Sequence, residues 1–102
     1  MPKIEIYYAQ MCGLCHEAMN YFREKGLEFE SHELQWDAEA NKFKGEKVDE
    51  FYARCGNFDF VPQLFINGRH IKGWKSLSAL IETGEIDAIL TDSDNSSTLQ
   101  YD

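Results

Sequence analysis

Cys12 and Cys15 stand three apart in the stretch Met11-Cys-Gly-Leu-Cys-His16. Thiols at that spacing can ligate a metal, close a structural disulfide or exchange electrons with another disulfide. A helix beginning just after Cys12 would set its sulfur among free backbone N–H groups, at the positive end of the helix dipole. Both features favour thiolate over thiol. Cys15, one turn on, falls on the same helical face and can reach back to Cys12. Such a pair supplies a nucleophile and a resolving thiol, and the nucleophile of thiol–disulfide exchange is the thiolate.

The other two chemistries fit less well. A structural zinc site asks for four ligands, usually two such pairs. Here one pair stands alone, His16 beside it reads as a solvent-facing helix residue, and His32, His70 and Cys55 are scattered. No metal site is expected. A structural staple lacks a motive, because a chain of 102 residues buries roughly 65% of its unfolded surface without one. Three cysteines also make an odd count, unlike a secreted disulfide scaffold. Met-Pro-Lys leads straight into a short apolar run, with no signal-peptide pattern and no span long enough for a membrane. The expectation is a cytoplasmic protein. A net charge of −8 argues against nucleic acid, which needs a basic face.

The elements that position the pair follow from periodicity. Ile4, Ile6 and Tyr8 alternate with Glu5 and Tyr7, which predicts a strand. Cys15, Ala18, Met19 and Phe22 make the buried stripe of a helix that Gly26 stops. Phe29–Leu34 reads as a second, edge-like strand and Gln35–Glu46 as a loop with a helical turn. Val48, Phe51, Tyr52 and Cys55 give a second amphipathic helix closed by Gly56, with Cys55 as a buried core thiol. Asn67-Gly68 between Gln63–Ile66 and Arg69–Lys72 is a hairpin signal. Ser76 is expected to cap a third helix that turns Leu77, Leu80 and Ile81 inward. Ile86, Ile89 and Leu90 form a last turn on the core, and an acidic tail from Thr91 reads as disordered. The chain thus divides into a domain over 1–90 and a tail over 91–102. A parallel pair joined by a helix, plus an antiparallel hairpin, gives an α/β fold with a mixed four-stranded sheet flanked by helices.

Pro62 falls just before the hairpin strand, where proline cannot donate to the ladder. Taken with Glu5-Ile-Tyr7 leading to Cys12-Gly-Leu-Cys15, then Phe60-Val-Pro-Gln-Leu-Phe-Ile-Asn67, His70-Ile-Lys-Gly73 and Leu77, the chain resembles the glutaredoxins from about Ile4 to Leu90. The resemblance implies a thioredoxin-like fold, with Pro62 cis and facing Cys12, and a dithiol cycle that reduces protein or glutathione mixed disulfides. It implies glutathione as co-substrate and no tightly bound cofactor, while the net charge of −8, which opposes close pairing of two chains, points to a monomer. The resemblance gives Val61 the backbone pairing with a bound glutathione or peptide.

Several residues depart from that pattern. Gly13-Leu14 replaces Pro-Tyr between the cysteines, and Ala9 stands where a lysine often approaches the glutathione glycine carboxylate. Lys72-Gly73-Trp74-Lys75-Ser76 replaces the usual Gly-Gly-x-Asp-Asp. Gly73 keeps a close backbone approach, Ser76 offers a hydroxyl and an N–H, and Lys75 is a candidate for a glutathione carboxylate. Gly73-Trp74-Lys75 is also similar to a segment of the NrdH-redoxins, which take electrons from thioredoxin reductase and pass them to ribonucleotide reductase. Trp74 would then dock a partner. A third alternative is a carrier of a 2Fe–2S cluster ligated with glutathione, since Gly13 replaces the motif proline.

Overall fold

Alternation in Ile4–Tyr8 sends Ile4 and Ile6 to one side of a pleat and Glu5 and Tyr7 to the other, and this strand, β1, is the spine of the fold. The computed structural model describes residues 2–56 and 60–91. After β1 come α1 (Gly13–Glu24), β2 (Glu30–Glu33), β3 (Gln35–Asp37), β4 (Lys42–Lys44) and α2 (Val48–Cys55). The chain continues through β5 (Gln63–Ile66), β6 (Arg69–Lys72), α3 (Gly73–Thr83) and α4 (Glu85–Thr91). The main sheet has the order β2-β1-β5-β6. β1 and β2 are parallel, as a helical crossover requires. β5 runs antiparallel to both β1 and β6. Asn67 and Gly68 both adopt positive φ in the two-residue turn that joins β5 to β6.

Strand parity divides the core. Ile4, Ile6, Leu64, Ile66 and Ile71 face the stripe of α1, Cys15, Ala18, Met19 and Phe22, together with Leu77, Ile86 and Ile89. Tyr7 and Phe65 face the other way, onto Leu34, Phe43, Phe51 and Cys55. Val61 packs against both clusters. The second layer also carries an ion pair. Arg54 of α2 donates to both oxygens of Glu5, at 2.8 and 3.2 Å, and to the Tyr7 hydroxyl at 3.1 Å. Tyr7 donates in turn to Glu50 at 2.7 Å. These bonds tie α2 to the strand that leads into Cys12. The Arg54 hydrogen bond holds Glu5 below its ordinary carboxylate range, while burial and the Glu50 contact push Tyr7 up to about 12.

The stretch 35–46 differs from its expectation. It forms a two-stranded hairpin, with Trp36 opposite Phe43 and Gln35 opposite Lys44. The Asp37 carboxylate accepts N–H bonds from Glu39 at 3.1 Å and Ala40 at 3.2 Å, and Asn41 turns the chain at φ 58. The Trp36 and Phe43 rings meet edge to face at 5.0 Å, and Phe43 is buried against α2. Strands of three residues, with lysines on both sides of the one buried ring, are too short to display alternation in the sequence.

Two boundaries also move. Lys72, not Ser76, is the N-cap of α3, and its side chain makes no cap hydrogen bond. Gly73 supplies the start instead: its φ of 89 turns the chain directly from β6 into the helix. α4 runs through Thr91, one residue into the expected tail, and 92–102 lie outside the described residues.

Candidate active site

Cys12 is the N-cap residue of α1, extended at φ −91 and ψ 104. Its own N–H bonds the Ala9 carbonyl at 3.1 Å, closing the turn that follows β1. Its sulfur accepts the backbone N–H of Cys15 at 3.1 Å, the position a serine or aspartate oxygen takes in an ordinary cap. A negative sulfur strengthens such a bond, since charge-assisted hydrogen bonds are roughly twice as strong as neutral ones. Cys12 is partly exposed whereas Cys15 is wholly buried, and both are free thiols. Burial, reinforced by the Cys12 sulfur, pushes the Cys15 thiol well above its ordinary range. The pair is therefore asymmetric. One sulfur meets solvent with a donor aimed at it, and the other waits as a thiol beneath.

The segment ahead of β5 faces this pair. The Val61–Pro62 peptide is cis, and the Cys12 thiol lies 3.8 Å from the Val61 carbonyl, to which it can donate. Pro62 is buried and Val61 half-buried. A side chain placed on Gly73 would meet the Phe60 ring at 3.4 Å, so Gly73 lets the start of α3 approach this same segment. The structure thus sets Cys12 and Cys15 beside Val61 and its cis bond to Pro62, with Gly73 against the neighbouring Phe60 ring. Lys75 and Ser76 sit in the first turn of α3, both exposed. The unladdered N–H groups of that turn belong to Gly73, Trp74 and Lys75 rather than to Ser76. Trp74 is half-buried against the α1-side core. Exposed apolar side chains flank the segments that carry Cys12 and Val61: Met11 is 96% exposed, Leu14 52% and Phe60 43%.

Three side chains near the site carry more than their sequence reading. His16 is partly exposed, as a solvent-facing helix residue would be, but it also has partners. Its Nε2 bonds the Gln10 carbonyl at 2.9 Å and its ring packs edge-on to Tyr8, bracing the loop before Cys12. Gln63 is fully buried, with its amide nitrogen donating to the Phe60 carbonyl at 3.1 Å. His70 bonds the oxygen of the same amide at 2.7 Å. A glutamine at the head of an otherwise apolar strand is the signal that could have marked the last two. Among the described residues, one group has metal-ligand spacing, Glu5, Glu30 and His32. It excludes the cysteines, and Arg54 already occupies both oxygens of Glu5. Cys55 is buried, as expected, and burial raises its thiol to about 11.

Comparison with known proteins bears on the fold and the family. Residues 4–71 match the family model Glutaredoxin. Glutaredoxin 3 of Escherichia coli K12 is 37% identical over 90 residues, covering 88% of this chain and 99% of the relative. A probable glutaredoxin of Synechocystis is 33% identical, covering 86% of this chain and 92% of its own. Among solved structures, a glutaredoxin from Brucella melitensis superposes with a TM-score of 0.62 at 32% identity, covering 86% of this chain and 87% of the other. A buckwheat glutaredoxin–glutathione complex superposes with a TM-score of 0.67 at 23% identity, covering 86% and 76%.

Proposed function

The chain belongs to the glutaredoxin family of thiol–disulfide oxidoreductases, and on that premise we propose that it runs a dithiol cycle on Cys12 and Cys15 with glutathione as the electron source. One observation carries the reading: a half-exposed Cys12 sulfur, bonded by the Cys15 N–H, lies over a wholly buried Cys15. The Cys12 thiolate attacks a substrate disulfide and expels one half as a thiolate, leaving the other half bonded to Cys12. Cys15 then loses its proton and attacks the Cys12 sulfur. The second half leaves, and a Cys12–Cys15 disulfide remains. Two glutathione thiols reduce that bridge and leave as glutathione disulfide. The overall change is one substrate disulfide reduced to two thiols and two glutathiones oxidised to one disulfide.

Each neighbour has a role in this cycle. Val61 pairs its backbone with the chain bound at Cys12, and Pro62 fixes its approach. Gly73 admits the ligand backbone to the α3 N-terminus, whose N–H groups suit a carboxylate. Lys75, exposed beside them, offers a mobile positive charge, and Ser76 offers a hydroxyl. The buckwheat neighbour, a glutathione complex, supports the choice of ligand. The apolar rim of Met11, Leu14 and Phe60 suits protein substrates, which bring apolar surface that glutathione lacks.

The test follows NADPH consumption in two coupled systems. Glutathione with glutathione reductase supports turnover in this reading. Turnover with thioredoxin reductase alone, and none with glutathione, would replace it with the NrdH-redoxin reading.

A further inference from the structure

Gln63 is the one fully buried amide side chain among the described residues, and the cycle above leaves it without a task. A buried amide costs stability unless its donors and acceptor are matched. Here the match runs in one direction only. The Phe60 carbonyl can only accept, so the bond at 3.1 Å must come from the Gln63 amide nitrogen. The Gln63 oxygen can only accept, so the bond at 2.7 Å requires the proton on His70 Nε2. Both positions are themselves fixed. His70 lies directly across from Phe65 in the β5–β6 ladder and stacks on its ring, with centroids 4.6 Å apart and planes 12° from parallel. The Arg54 guanidinium lies 3.8 Å from the centre of that same ring, anchoring it to α2.

The result is a chain of directed contacts from the sheet to the segment that faces the nucleophile. Phe65 orients His70, His70 orients the Gln63 amide, and the amide holds the Phe60 carbonyl. The next residue is Val61, whose own carbonyl lies 3.8 Å from the Cys12 sulfur. We propose that Gln63 and His70 are positioning residues for the disulfide substrate, setting the Phe60–Val61 backbone at the height where Val61 pairs with the chain bound to Cys12. This rests on the role given to Val61 above. Burial, with Lys72 and Arg54 nearby, keeps His70 low and so neutral at pH 7, consistent with a single Nε2 proton spent on Gln63.

The test compares Gln63→Met and His70→Phe with wild type. Methionine keeps the length and loses both bonds; phenylalanine keeps the stack on Phe65 and loses the donor. Two rates are read at 25 °C, turnover of a glutathionylated peptide and alkylation of Cys12 by iodoacetamide, a reagent too small to need Val61. For Gln63→Met, KM for the peptide rises about tenfold, the equivalent of one buried hydrogen bond, while kcat stays within about twofold. For His70→Phe the rise is smaller, about three- to fivefold. Alkylation of Cys12 is unchanged in both. If Gln63→Met does not fold, His70→Phe carries the same comparison. Wild-type turnover with KM unchanged in the folded variants overturns the positioning role. So does a fall in alkylation that parallels the loss of turnover, since the pair would then act on Cys12 itself. No wild-type turnover of the peptide would instead overturn the functional reading on which the inference rests.

Discussion

Replacing Arg54 with methionine tests the bracing that holds the site strand against α2. The guanidinium makes three hydrogen bonds, two to Glu5 and one to Tyr7, and lies over the Phe65 ring. The Glu5 side chain is 12% exposed and Arg54 30%, so the pair is neither in bulk water nor fully dry. Removing one partner of a buried pair costs about 3–5 kcal/mol, because the other charge is stranded. Partial exposure of Arg54 moves the expectation to about 2–3 kcal/mol, well above the roughly 0–1 kcal/mol of an open surface pair. For a domain of this size that lowers Tm by roughly 8–24 °C. The cost depends on pH with a definite sign. Glu5 is held below its unfolded pKa in the fold, so its contribution is present at neutral pH and is lost as pH falls through the folded value. The penalty of Arg54→Met is therefore largest at pH 7 and shrinks towards pH 3. Circular dichroism melts of wild type, Arg54→Met, Glu5→Gln and the double variant at both pH values give the coupling directly. A penalty under about 0.5 kcal/mol at pH 7, or one equal at pH 7 and pH 3, would mean that the Arg54–Glu5 pair does not brace the strand.

Two further outcomes follow from the thiols and the ligand site. At pH 7 iodoacetamide labels Cys12 in the folded protein and leaves Cys15 and Cys55 unlabelled until denaturant exposes them, because both are buried and raised. Peptide mapping checks this, and faster labelling at Cys15 would reverse the assignment of nucleophile and resolving thiol. Ala9→Lys, in the turn that accepts the Cys12 N–H, adds a cation beside the site and lowers KM for glutathione severalfold, since charge-assisted bonds are about twice as strong as neutral ones. Steady-state kinetics at low and high salt test it, and an unchanged KM would show that another cation, Lys75 first, already serves the carboxylate.

How far the sequence spoke for itself differed by element. β1, α1 and the β5–β6 hairpin were legible because each carries a clean period or a turn dipeptide, and the same features place Cys12 at a helix N-terminus. The β3–β4 hairpin was not, because its cross-strand pair, Trp36 and Phe43, is surrounded by charges and its turn rests on the Asp37 side chain. Ser76 read as a cap from its type alone, yet the positive φ of Gly73 begins the helix three residues earlier. His16 read as a solvent-facing helix residue, and Gln63 and His70 as strand residues within the glutaredoxin-like motif, with no role of their own. His16 and Gln63 hold backbone carbonyls and His70 holds the Gln63 side-chain amide, and such partners depend on where the chain passes, which no local pattern records.

The central claim, that Cys12 takes the substrate and Cys15 releases it, is tested most directly by intact-mass spectrometry of Cys15→Ser after exposure to glutathione disulfide. Without the resolving thiol, the intermediate has no intramolecular exit. A single glutathione adduct is expected, mapped to Cys12 and removed by added glutathione. Wild type treated alike should show an internal Cys12–Cys15 disulfide, and Cys12→Ser no adduct at all. An adduct on Cys15 in a Cys12→Ser protein, or none on Cys12 in Cys15→Ser, would contradict the claim.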